Sequence, residues 1–232
     1  MAELNHGTFY GVGIGPGDPE LLTLKAIRIL RECPVIAAPR TASGEMLALD
    51  IARQAVDLDG KLLLPMDFTM DRDPAKQHAA HEIAADLAEE YLRQGQDVAM
   101  LNLGDVSIYA TFGYLQEILE QRGYRTAMVP GVTSFCAVAA RLNTGLTEMN
   151  KPLHIVPAGG GPLADTLGLP GTKILMKSGR QIPRVVETLR SHGCLDKAAM
   201  VQNCGLPDEA VYRNLEDVPD SAGYFATIIV KE

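Results

Sequence analysis

The chain has 232 residues, enough for one large α/β domain or for two domains of about 100–130 residues each. Apolar residues make up 47% of the sequence and charged residues 22%, a balance typical of a globular protein rather than a disordered or fibrous one. The formal net charge of −8 argues against nucleic acid as the main partner, because affinity for a phosphate backbone comes from clustered Lys and Arg. The four cysteines form no CxxC pair, so we expect reduced thiols and no cysteine-based zinc site.

The amino-terminal residues, MAELNHGTFYGVGIG, lack the basic segment and long apolar run of a secretory signal. No stretch of the sequence reaches the roughly 18 uninterrupted apolar residues that a membrane-spanning helix needs. We therefore expect a cytoplasmic protein with no membrane partner.

The first half of the chain alternates short apolar runs with amphipathic segments. A strand is predicted over Thr8–Ile14, and a helix over Asp18–Arg31, where leucine and isoleucine recur at helical spacing. The other predicted strands of this half are Val35–Ala38, Leu62–Leu64, Val98–Leu103 and Thr126–Val129, and the other predicted helices are Ala42–Val56, Ala75–Gln94 and Tyr109–Gln121. This alternation predicts a mostly parallel sheet.

The breaker pair Pro130–Gly131 marks a predicted domain boundary, which gives domains of residues 1–130 and 131–232. The second domain is predicted to contain helices Thr133–Arg141 and Ile182–Ser191 and strands Leu153–Pro157, Lys173–Met176, Ala199–Gln202, Ala210–Asn214 and Tyr224–Val230. Because no helix separates the last two strands, they are expected to form an antiparallel hairpin. The predicted fold class is α/β, with a mostly parallel N-terminal sheet and a mixed C-terminal sheet.

Glycines at positions 11, 13, 15 and 17 stand between the first strand and the first helix, in GVGIGPGDPELLTLKA. Backbone without Cβ atoms can approach a ligand closely, so the loop predicts a nucleotide-like site, although an ordinary tight turn would have the same glycines. The dinucleotide fingerprint G-x-G-x-x-G fails because its last position would be Pro16 or Asp18. The ATP-binding phosphate loop is also absent, because Gly60–Lys61 is followed by Leu62. A nucleotide-binding oxidoreductase is the alternative from another functional class.

Three blocks in this order, GVGIGPGDPELLTLKA, LGDVSIYAT (Leu103–Thr111) and VPGVTSFCAVAAR (Val129–Arg141), closely resemble the signature segments of the tetrapyrrole methylase family. The resemblance implies two α/β domains with a cofactor cleft between them. It also implies an S-adenosylmethionine-dependent C-methyltransferase that releases S-adenosylhomocysteine, acts on a small-molecule tetrapyrrole and forms a homodimer.

The resemblance also implies cofactor contacts, taken position by position. In the first domain, Pro16 and the Leu103–Gly104–Asp105 turn are expected near the methionine and ribose parts of the cofactor, with Ile108 and Tyr109 close by. The Asp105 carboxylate is suited to accept hydrogen bonds from an amine or a hydroxyl.

Further cofactor contacts are expected in the second half of the chain. Thr133 and Ser134 open a predicted helix, where hydroxyls and free backbone amides face a bound polar group. An ordinary helix N-cap is the alternative for Thr133. The adenine-side candidates are Lys177 and Cys204, followed by Ala226 and Thr227 in the last strand.

Within the family, GDVSIYATF and PGVTSFCAVAARLNTGLTEMNKPLHIVPA resemble the branch that methylates carbon 20 of precorrin-2 or cobalt-factor II in cobalamin biosynthesis. The uroporphyrinogen branch reads GGDP in the middle block, where this chain reads LGDV. A tetrapyrrole methylase acting at a different carbon, or the diphthine-forming relative that methylates a protein, is the alternative within the family.

The substrate implied by this resemblance carries many carboxylates, so local cations are expected near it despite the acidic total. The candidates are Arg40, Lys151 and Arg180. A guanidinium fork matches a carboxylate, although a solvated surface arginine is the alternative for Arg40. Where the uroporphyrinogen branch has an aspartate after the second strand, this chain has Pro39, so no catalytic base is assigned.

Two other charged features are interpreted as surface. His78 and His81 lie three residues apart on a predicted helix, but without a third ligand they predict no metal site. The acidic run over residues 82–90 is interpreted as the solvated face of the same helix. Arg141, after a helical apolar run, is equally consistent with a further cation near the substrate and with an exposed helix-end residue favoured by the helix dipole, and it is not assigned to the site.

Overall fold

The chain divides into two compact units, Met1–Thr133 and Ser134–Glu232. The computed structural model describes residues 6–69, 71, 73–158, 163–219, 222–223 and 225–232. The division falls at the start of the second predicted domain, whose boundary the sequence put between residues 130 and 131. No helix in the described part of the chain combines the length and the apolar character needed to span a bilayer.

A parallel sheet forms the centre of the first unit. Its described strands are β1 (Thr8–Gly13), β2 (Val35–Arg40), β3 (Leu62–Asp67), β4 (Val98–Asn102) and β5 (Arg125–Val129), in the order β3-β2-β4-β1-β5. Each pairing between these strands is parallel. Every residue of β4 is buried, as expected for a strand covered on both faces. The carboxyl ends of the strands meet at one edge of the sheet, where open α/β sheets bind ligands.

Four described helices flank this sheet: α1 (Leu24–Glu32), α2 (Leu47–Ala55), α3 (Pro74–Leu92) and α4 (Phe112–Gln121). Helix α1 begins where the Thr23 hydroxyl accepts a hydrogen bond from the Ala26 amide at 3.1 Å. The core on one face of the sheet contains Phe9 of β1 stacked on Phe112 of α4, with ring centroids 5.3 Å apart. These contacts fix α4, and the loop that precedes it, against β1.

Three predicted helices of this unit begin later than the sequence indicated. The helix predicted from Tyr109 begins at Phe112, and the shift is larger in the other two. The helix predicted over 18–31 is interrupted, because Asp18 caps a separate 3₁₀ turn at Pro19–Leu21 before α1 begins. The helix predicted over 42–56 begins only at Leu47. Gly44 has a φ of +91°, and the Thr41 and Glu45 backbones are hydrogen-bonded at 2.9 Å in a closed turn. Both segments therefore start in turns that helical periodicity does not reveal.

The sequence suggested that the acidic run on α3 is a solvated helix face, but in the structure its carboxylates also form ion pairs. The Arg122 guanidinium donates hydrogen bonds to the carboxylates of Glu82, Asp86 and Glu89, and the Tyr124 hydroxyl donates to Glu89 at 3.0 Å. Only 17% of the Glu89 side chain is exposed. The run therefore contributes an ion-pair network that joins α3 to the end of α4.

The imidazole of His81 on the same helix stacks on Tyr114 of α4, with ring centroids 4.6 Å apart. Among the described residues, no three His, Cys, Asp or Glu side chains are grouped closely enough to hold a metal ion.

A mixed sheet forms the centre of the second unit. Its described strands are β6 (Leu153–Pro157), β7 (Thr172–Met176), β8 (Ala198–Gln202), β9 (Ala210–Tyr212) and β10 (Ala226–Val230), in the order β6-β7-β10-β8-β9. Strands β6 and β7 are parallel, whereas β10 is antiparallel to both β7 and β8. The described helices are α5 (Ser134–Leu142), α6 (Leu163–Leu167) and α7 (Ile182–Ser191). The mixed sheet is confirmed, and α7 has the bounds predicted from sequence.

The predicted hairpin between the last two strands is wrong. Strand β10 lies between β7 and β8, and β9 pairs with β8. Burial explains the arrangement, since all residues of β10 are buried whereas all residues of β9 are half-buried. The more apolar strand occupies the centre, and the short, less apolar strand occupies the edge. Helix α6 was not predicted, because five residues are too few to establish a helical period.

Candidate functional site

Three loops meet at the carboxyl edge of the parallel sheet in the first unit. They are the loops that follow β1, β4 and β5. Gly15 and Gly104 form an isolated antiparallel bridge, in which the Gly104 amide donates to the Gly15 carbonyl at 2.7 Å. The Gly131 amide, after β5, donates to the Asp105 carboxylate at 2.8 Å. The glycine loop and the LGD turn, separate in sequence, thus form one hydrogen-bonded surface.

Glycine is required where these loops touch. A Cβ atom at Gly131 would lie 2.2 Å from the Gly104 carbonyl oxygen, and one at Gly13 would lie 2.6 Å from the Gly131 nitrogen. Gly104 also has a φ of +77°, which a side chain disfavours. These loops therefore pack backbone against backbone, with no side chain between the peptide groups of Gly13, Gly104 and Gly131.

Asp105 connects two of these loops with both of its carboxylate oxygens. Oδ1 accepts hydrogen bonds from the amide and hydroxyl of Ser107, and Oδ2 accepts the bond from Gly131. The residue is 9% exposed. Burial raises the pKa of Asp105, but these hydrogen bonds outweigh burial and the pKa lies below its ordinary value. Asp105 therefore stays ionised and holds the turn in place; the sequence did not single out Ser107, because its hydrogen bond depends on the turn geometry.

Thr133 has a buried hydroxyl oxygen without a hydrogen-bond partner among the described residues. The hydroxyl does not cap α5, so the N-cap alternative is not what the structure has. Burying an unsatisfied hydroxyl is unfavourable, and a bound polar group removes that cost. The orphan oxygen stands two residues after Gly131, as expected for a ligand-binding position.

The remaining first-unit candidates lie in the same loops. Pro16 is buried in the glycine loop, Leu103 and Ile108 are half-buried, and Tyr109 is 42% exposed. Tyr109 has a φ of +53°, uncommon for a residue with a side chain. Such strain tends to occur at functional sites.

The second-unit candidates lie together at one edge of the mixed sheet. Lys177 follows β7 and Cys204 follows β8, while Ala226 and Thr227 begin β10, which runs antiparallel to both. Ala226 pairs with Gln202, the last residue of β8. The Thr227 hydroxyl donates to the Ser134 hydroxyl at 3.4 Å, which adds the start of α5 to this edge. Within this unit, the fold brings together candidates that are up to 93 residues apart.

Two segments at this edge have left-handed backbone conformations. Lys177 has a φ of +53°, and Asn203, next to Cys204, has a φ of +52°. The Asn203 amide donates to the Phe225 carbonyl at 3.0 Å, which ties the loop after β8 to the segment before β10. At Asn203, the left-handed backbone is therefore held by a hydrogen bond, next to the predicted adenine-side contact Cys204.

The three candidate substrate cations have different environments. Arg40, at the end of β2, forms a two-point ion pair with Asp67 at the end of β3, through bonds of 2.8 and 2.6 Å. The hydrogen bond from Arg40 lowers the pKa of Asp67. Lys151 pairs with Glu232 at 3.0 Å, beyond the start of β6 and the end of β10. That position is at the edge opposite Lys177, so the structure does not bring Lys151 to the other candidates. The Arg180 side chain lies outside the part of the chain that the structure describes.

Comparison with known proteins agrees with the resemblance seen in the three sequence blocks. The family described as Tetrapyrrole (Corrin/Porphyrin) Methylases matches residues 8–219. The cobalt-precorrin-2 C(20)-methyltransferase of Salmonella typhimurium is 32% identical over 233 residues, covering 98% of this chain and 97% of the relative. The precorrin-2 C(20)-methyltransferase of Sinorhizobium sp is 28% identical over 244 residues, covering 99% and 97%.

A solved structure has the same fold. The uroporphyrin-III C-methyl transferase from Thermus thermophilus, complexed with S-adenyl homocysteine, matches with a TM-score of 0.71 and 26% identity, covering 97% of this chain and 98% of that chain. The family match spans most of the sequence, and the relative from Salmonella typhimurium aligns over nearly all of it. The chain therefore belongs to the tetrapyrrole (corrin/porphyrin) methylase family.

Proposed function

We propose that the chain transfers a methyl group from S-adenosylmethionine to carbon 20 of precorrin-2 or of its cobalt form, in cobalamin biosynthesis. The named relatives from Salmonella typhimurium and Sinorhizobium sp, which align over nearly the whole chain, support this choice of carbon. The structural observation that carries the proposal is the glycine-lined edge of the first unit, where the buried Thr133 hydroxyl has no partner among the described residues.

The residues at that edge fit the cofactor. Peptide groups of the glycine loop and of the Leu103–Gly104–Asp105 turn, which no side chain covers at the glycines, are suited to bind the amine, carboxylate and ribose hydroxyls of S-adenosylmethionine. Pro16, Ile108 and Tyr109 supply the surrounding surface. A carboxylate has lone pairs beyond those that Ser107 and Gly131 occupy, so Asp105 retains capacity to accept a bond from the cofactor.

In the second unit, we propose adenine-side contacts from Lys177, Cys204, Ala226 and Thr227. Ser134 of this unit and Thr133, the last residue of the first unit, are proposed to bind polar groups. Most of these residues lie at strand ends, where the left-handed backbones of Lys177 and Asn203 present peptide groups. We expect several of the contacts to be made by the backbone, so substitutions that keep the backbone conformation should be tolerated there.

The chemistry places a modest demand on acid–base residues. S-adenosylmethionine supplies a methyl group bound to a sulfonium. The methyl group is transferred to the carbon nucleophile by direct displacement, and S-adenosylhomocysteine is the leaving group. The enzyme mainly has to align the reacting atoms and exclude water. The bridging carbon of a reduced tetrapyrrole is electron-rich and can attack before it loses its proton. No residue is assigned as a base, because Pro39 occupies the position where the uroporphyrinogen branch has an aspartate.

For substrate binding we retain Arg40 and Arg180 as proposed cations. Asp67 accepts hydrogen bonds from the Nε–Nη2 edge of the Arg40 guanidinium, and the Nη1 donors remain for a substrate carboxylate. Lys151 is not retained, because it pairs with Glu232 at the other edge of its sheet.

We also propose that the protein acts as a cytoplasmic homodimer. Sedimentation equilibrium is expected to give twice the mass of one chain, and cell fractionation is expected to recover the protein with the soluble enzymes.

The deciding experiment is an anaerobic incubation with methyl-labelled S-adenosylmethionine and either precorrin-2 or cobalt-factor II, followed by NMR to locate the label. Label at carbon 20 is the expected result, and the faster substrate identifies the metal state used. Label at another carbon would retain the family and overturn the position. Cofactor binding without transfer to either substrate would overturn the proposed acceptor.

A further inference from the structure

The half-buried Glu209 carboxylate connects the loop that follows β8 to helix α5. Glu209 accepts a hydrogen bond from the Gly205 amide at 3.0 Å through Oε2, and a hydrogen bond from the Arg141 guanidinium through Oε1. The Cys204 side chain also bonds to Glu209. Only 19% of the Glu209 side chain is exposed, whereas 52% of the Arg141 side chain is. The Glu209 carboxylate therefore joins Cys204 and Gly205 of the loop to Arg141 of helix α5.

The loop has a backbone conformation that needs such support. Asn203 and Gly205, on either side of Cys204, have φ values of +52° and +83°. Glycine adopts a positive φ readily, but at Asn203 this conformation is strained and persists only where the surrounding contacts impose it. Asn203 is itself fixed by a 2.6 Å bond from its side chain to Asp208. The Glu209 bond to the Gly205 amide fixes the other side of Cys204.

Helix α5, which contains Arg141, also reaches Ser134, another proposed cofactor contact. Arg141 lies in the last turn of α5, and Ser134 is the first residue of that helix. The Ser134 hydroxyl accepts a bond from Thr227 of β10. Helix α5 is thus attached to the candidate edge at its first residue and to the Cys204 loop near its last.

The ionisation of Glu209 agrees with this geometry. Burial raises the pKa of Glu209, but hydrogen bonds from the Gly205 amide and the Arg141 guanidinium outweigh burial, so the pKa lies below its ordinary value. The carboxylate is therefore charged at neutral pH and can accept all of these donors together.

We infer that Arg141 and Glu209 are a positioning pair, which holds the backbone of residues 203–205 in the conformation that binds the adenosyl part of the cofactor. Neither side chain is assigned a contact with the reacting atoms. The inference rests on the proposed function, since it concerns the cofactor contact assigned to Cys204. It assigns a role to Glu209, which lies outside the three signature blocks of the sequence, and to Arg141, the last residue of the third block.

The test is a calorimetric titration of the purified chain with S-adenosylhomocysteine. Replacing Glu209→Ala or Arg141→Ala is expected to weaken binding about tenfold, because either change leaves a charged or backbone group without its partner. Glu209→Gln keeps an acceptor for the Gly205 amide and is expected to retain more affinity than Glu209→Ala. The double variant is expected to bind no more weakly than the worse single variant, because both residues act through one contact.

The matched control is Glu187→Ala, which removes another Arg–Glu pair of the same unit. Glu187 pairs with Arg190 on α7, and its side chain is 70% exposed. This variant is expected to bind S-adenosylhomocysteine as the parent chain does.

Steady-state kinetics give a second criterion for a positioning role. In Glu209→Gln, the KM for S-adenosylmethionine is expected to rise, while kcat at saturating cofactor and the KM for the tetrapyrrole stay the same.

The outcomes separate this inference from the proposed function. If the parent chain binds S-adenosylhomocysteine and a folded Glu209→Gln or Arg141→Ala variant binds equally well, the positioning role is overturned and the proposed function stands. If the parent chain itself does not bind, the proposed function fails and the inference fails with it. A fall in kcat together with a rise in the KM values for both substrates would indicate general destabilisation and would also overturn the inference.

Discussion

The Asp105 carboxylate accepts a hydrogen bond from the Gly131 amide at 2.8 Å, although the two residues are 26 positions apart. Its other oxygen accepts two bonds from Ser107, so the side chain acts only as an acceptor on both sides. This relationship explains why an aspartate, rather than an amide of the same shape, suits the position.

We predict that Asp105→Asn binds S-adenosylhomocysteine about tenfold more weakly than the parent chain. Asparagine must direct its NH₂ group at either the Gly131 amide or the Ser107 amide, so two donors face each other. Calorimetry checks the affinity, and circular dichroism checks that the variant is folded. Ser107→Ala removes one donor and should have a smaller effect; a folded Asp105→Asn variant with parental affinity would contradict the assignment.

Removing the Thr133 hydroxyl is expected to weaken cofactor binding without lowering the stability of the chain. Thr133→Val replaces a buried oxygen that has no partner among the described residues by a methyl group of similar size, so the free energy of unfolding should stay the same or rise. Affinity for S-adenosylhomocysteine should fall about tenfold if the hydroxyl binds the cofactor.

Thr188→Val is the matched control for this change. The Thr188 hydroxyl is exposed on α7 and donates to the Arg184 carbonyl at 2.8 Å. The control variant should bind S-adenosylhomocysteine normally. Equal affinities of the Thr133→Val variant and the parent chain would show that the hydroxyl does not contact the cofactor.

Replacing two glycines of the first unit by alanine is expected to change the free energy of unfolding in opposite directions. Gly131→Ala would place Cβ 2.2 Å from the Gly104 carbonyl oxygen, so we expect a loss of about 1–3 kcal/mol in the free energy of unfolding and weaker cofactor binding. Gly113 lies in α4 and a Cβ there meets nothing within 4 Å. Gly113→Ala should therefore stabilise the chain by about 0.5–1 kcal/mol, because alanine favours a helix. Urea unfolding of both variants measures the difference, and equal stabilities would refute the crowding at Gly131.

Local sequence features predicted the elements of this fold well where one signal sufficed. Helix α7 has a clear apolar period and a proline at its second residue, and it was found with the correct bounds. The placement of β10 was missed because it depends on which strand is buried most completely, a property of the whole sheet. Chain order favours a hairpin, whereas burial favours the centre, and burial determined the result.

The candidate site was predicted only as far as local motifs reach. The glycine loop and the LGD turn are visible in the sequence, and the fold brings them together at Gly15 and Gly104. Glu209 was not found, because its importance comes from a contact with Arg141 that spans 68 residues. Arg141 was not assigned to the site for the same reason. Pairings of this range leave no periodicity or spacing to detect.

The Arg122 network predicts an acid-dependent part of the stability of the first unit. Burial raises the pKa of Glu89, but hydrogen bonds from Arg93, Tyr124 and Arg122 outweigh burial, so the pKa lies below its ordinary value of 4.5. A carboxylate with a lowered pKa in the folded state adds stability that is fully present above the unfolded pKa and is lost as pH falls through the folded pKa. The parent chain should therefore lose this contribution below about pH 4.5.

Arg122→Ala should lower the free energy of unfolding at neutral pH by about 1–2 kcal/mol, because three carboxylates lose their shared cation. Its stability should then fall less steeply with acid than that of the parent chain, since Glu89 no longer has Arg122 to favour its charged form. Urea unfolding across the acidic range measures both effects. Arg28→Ala removes an exposed pair with Glu32 in which both side chains are 56% exposed, and should change neither the stability nor its pH dependence appreciably. Parallel pH profiles for Arg122→Ala and the parent chain would mean that the network contributes no linked stability.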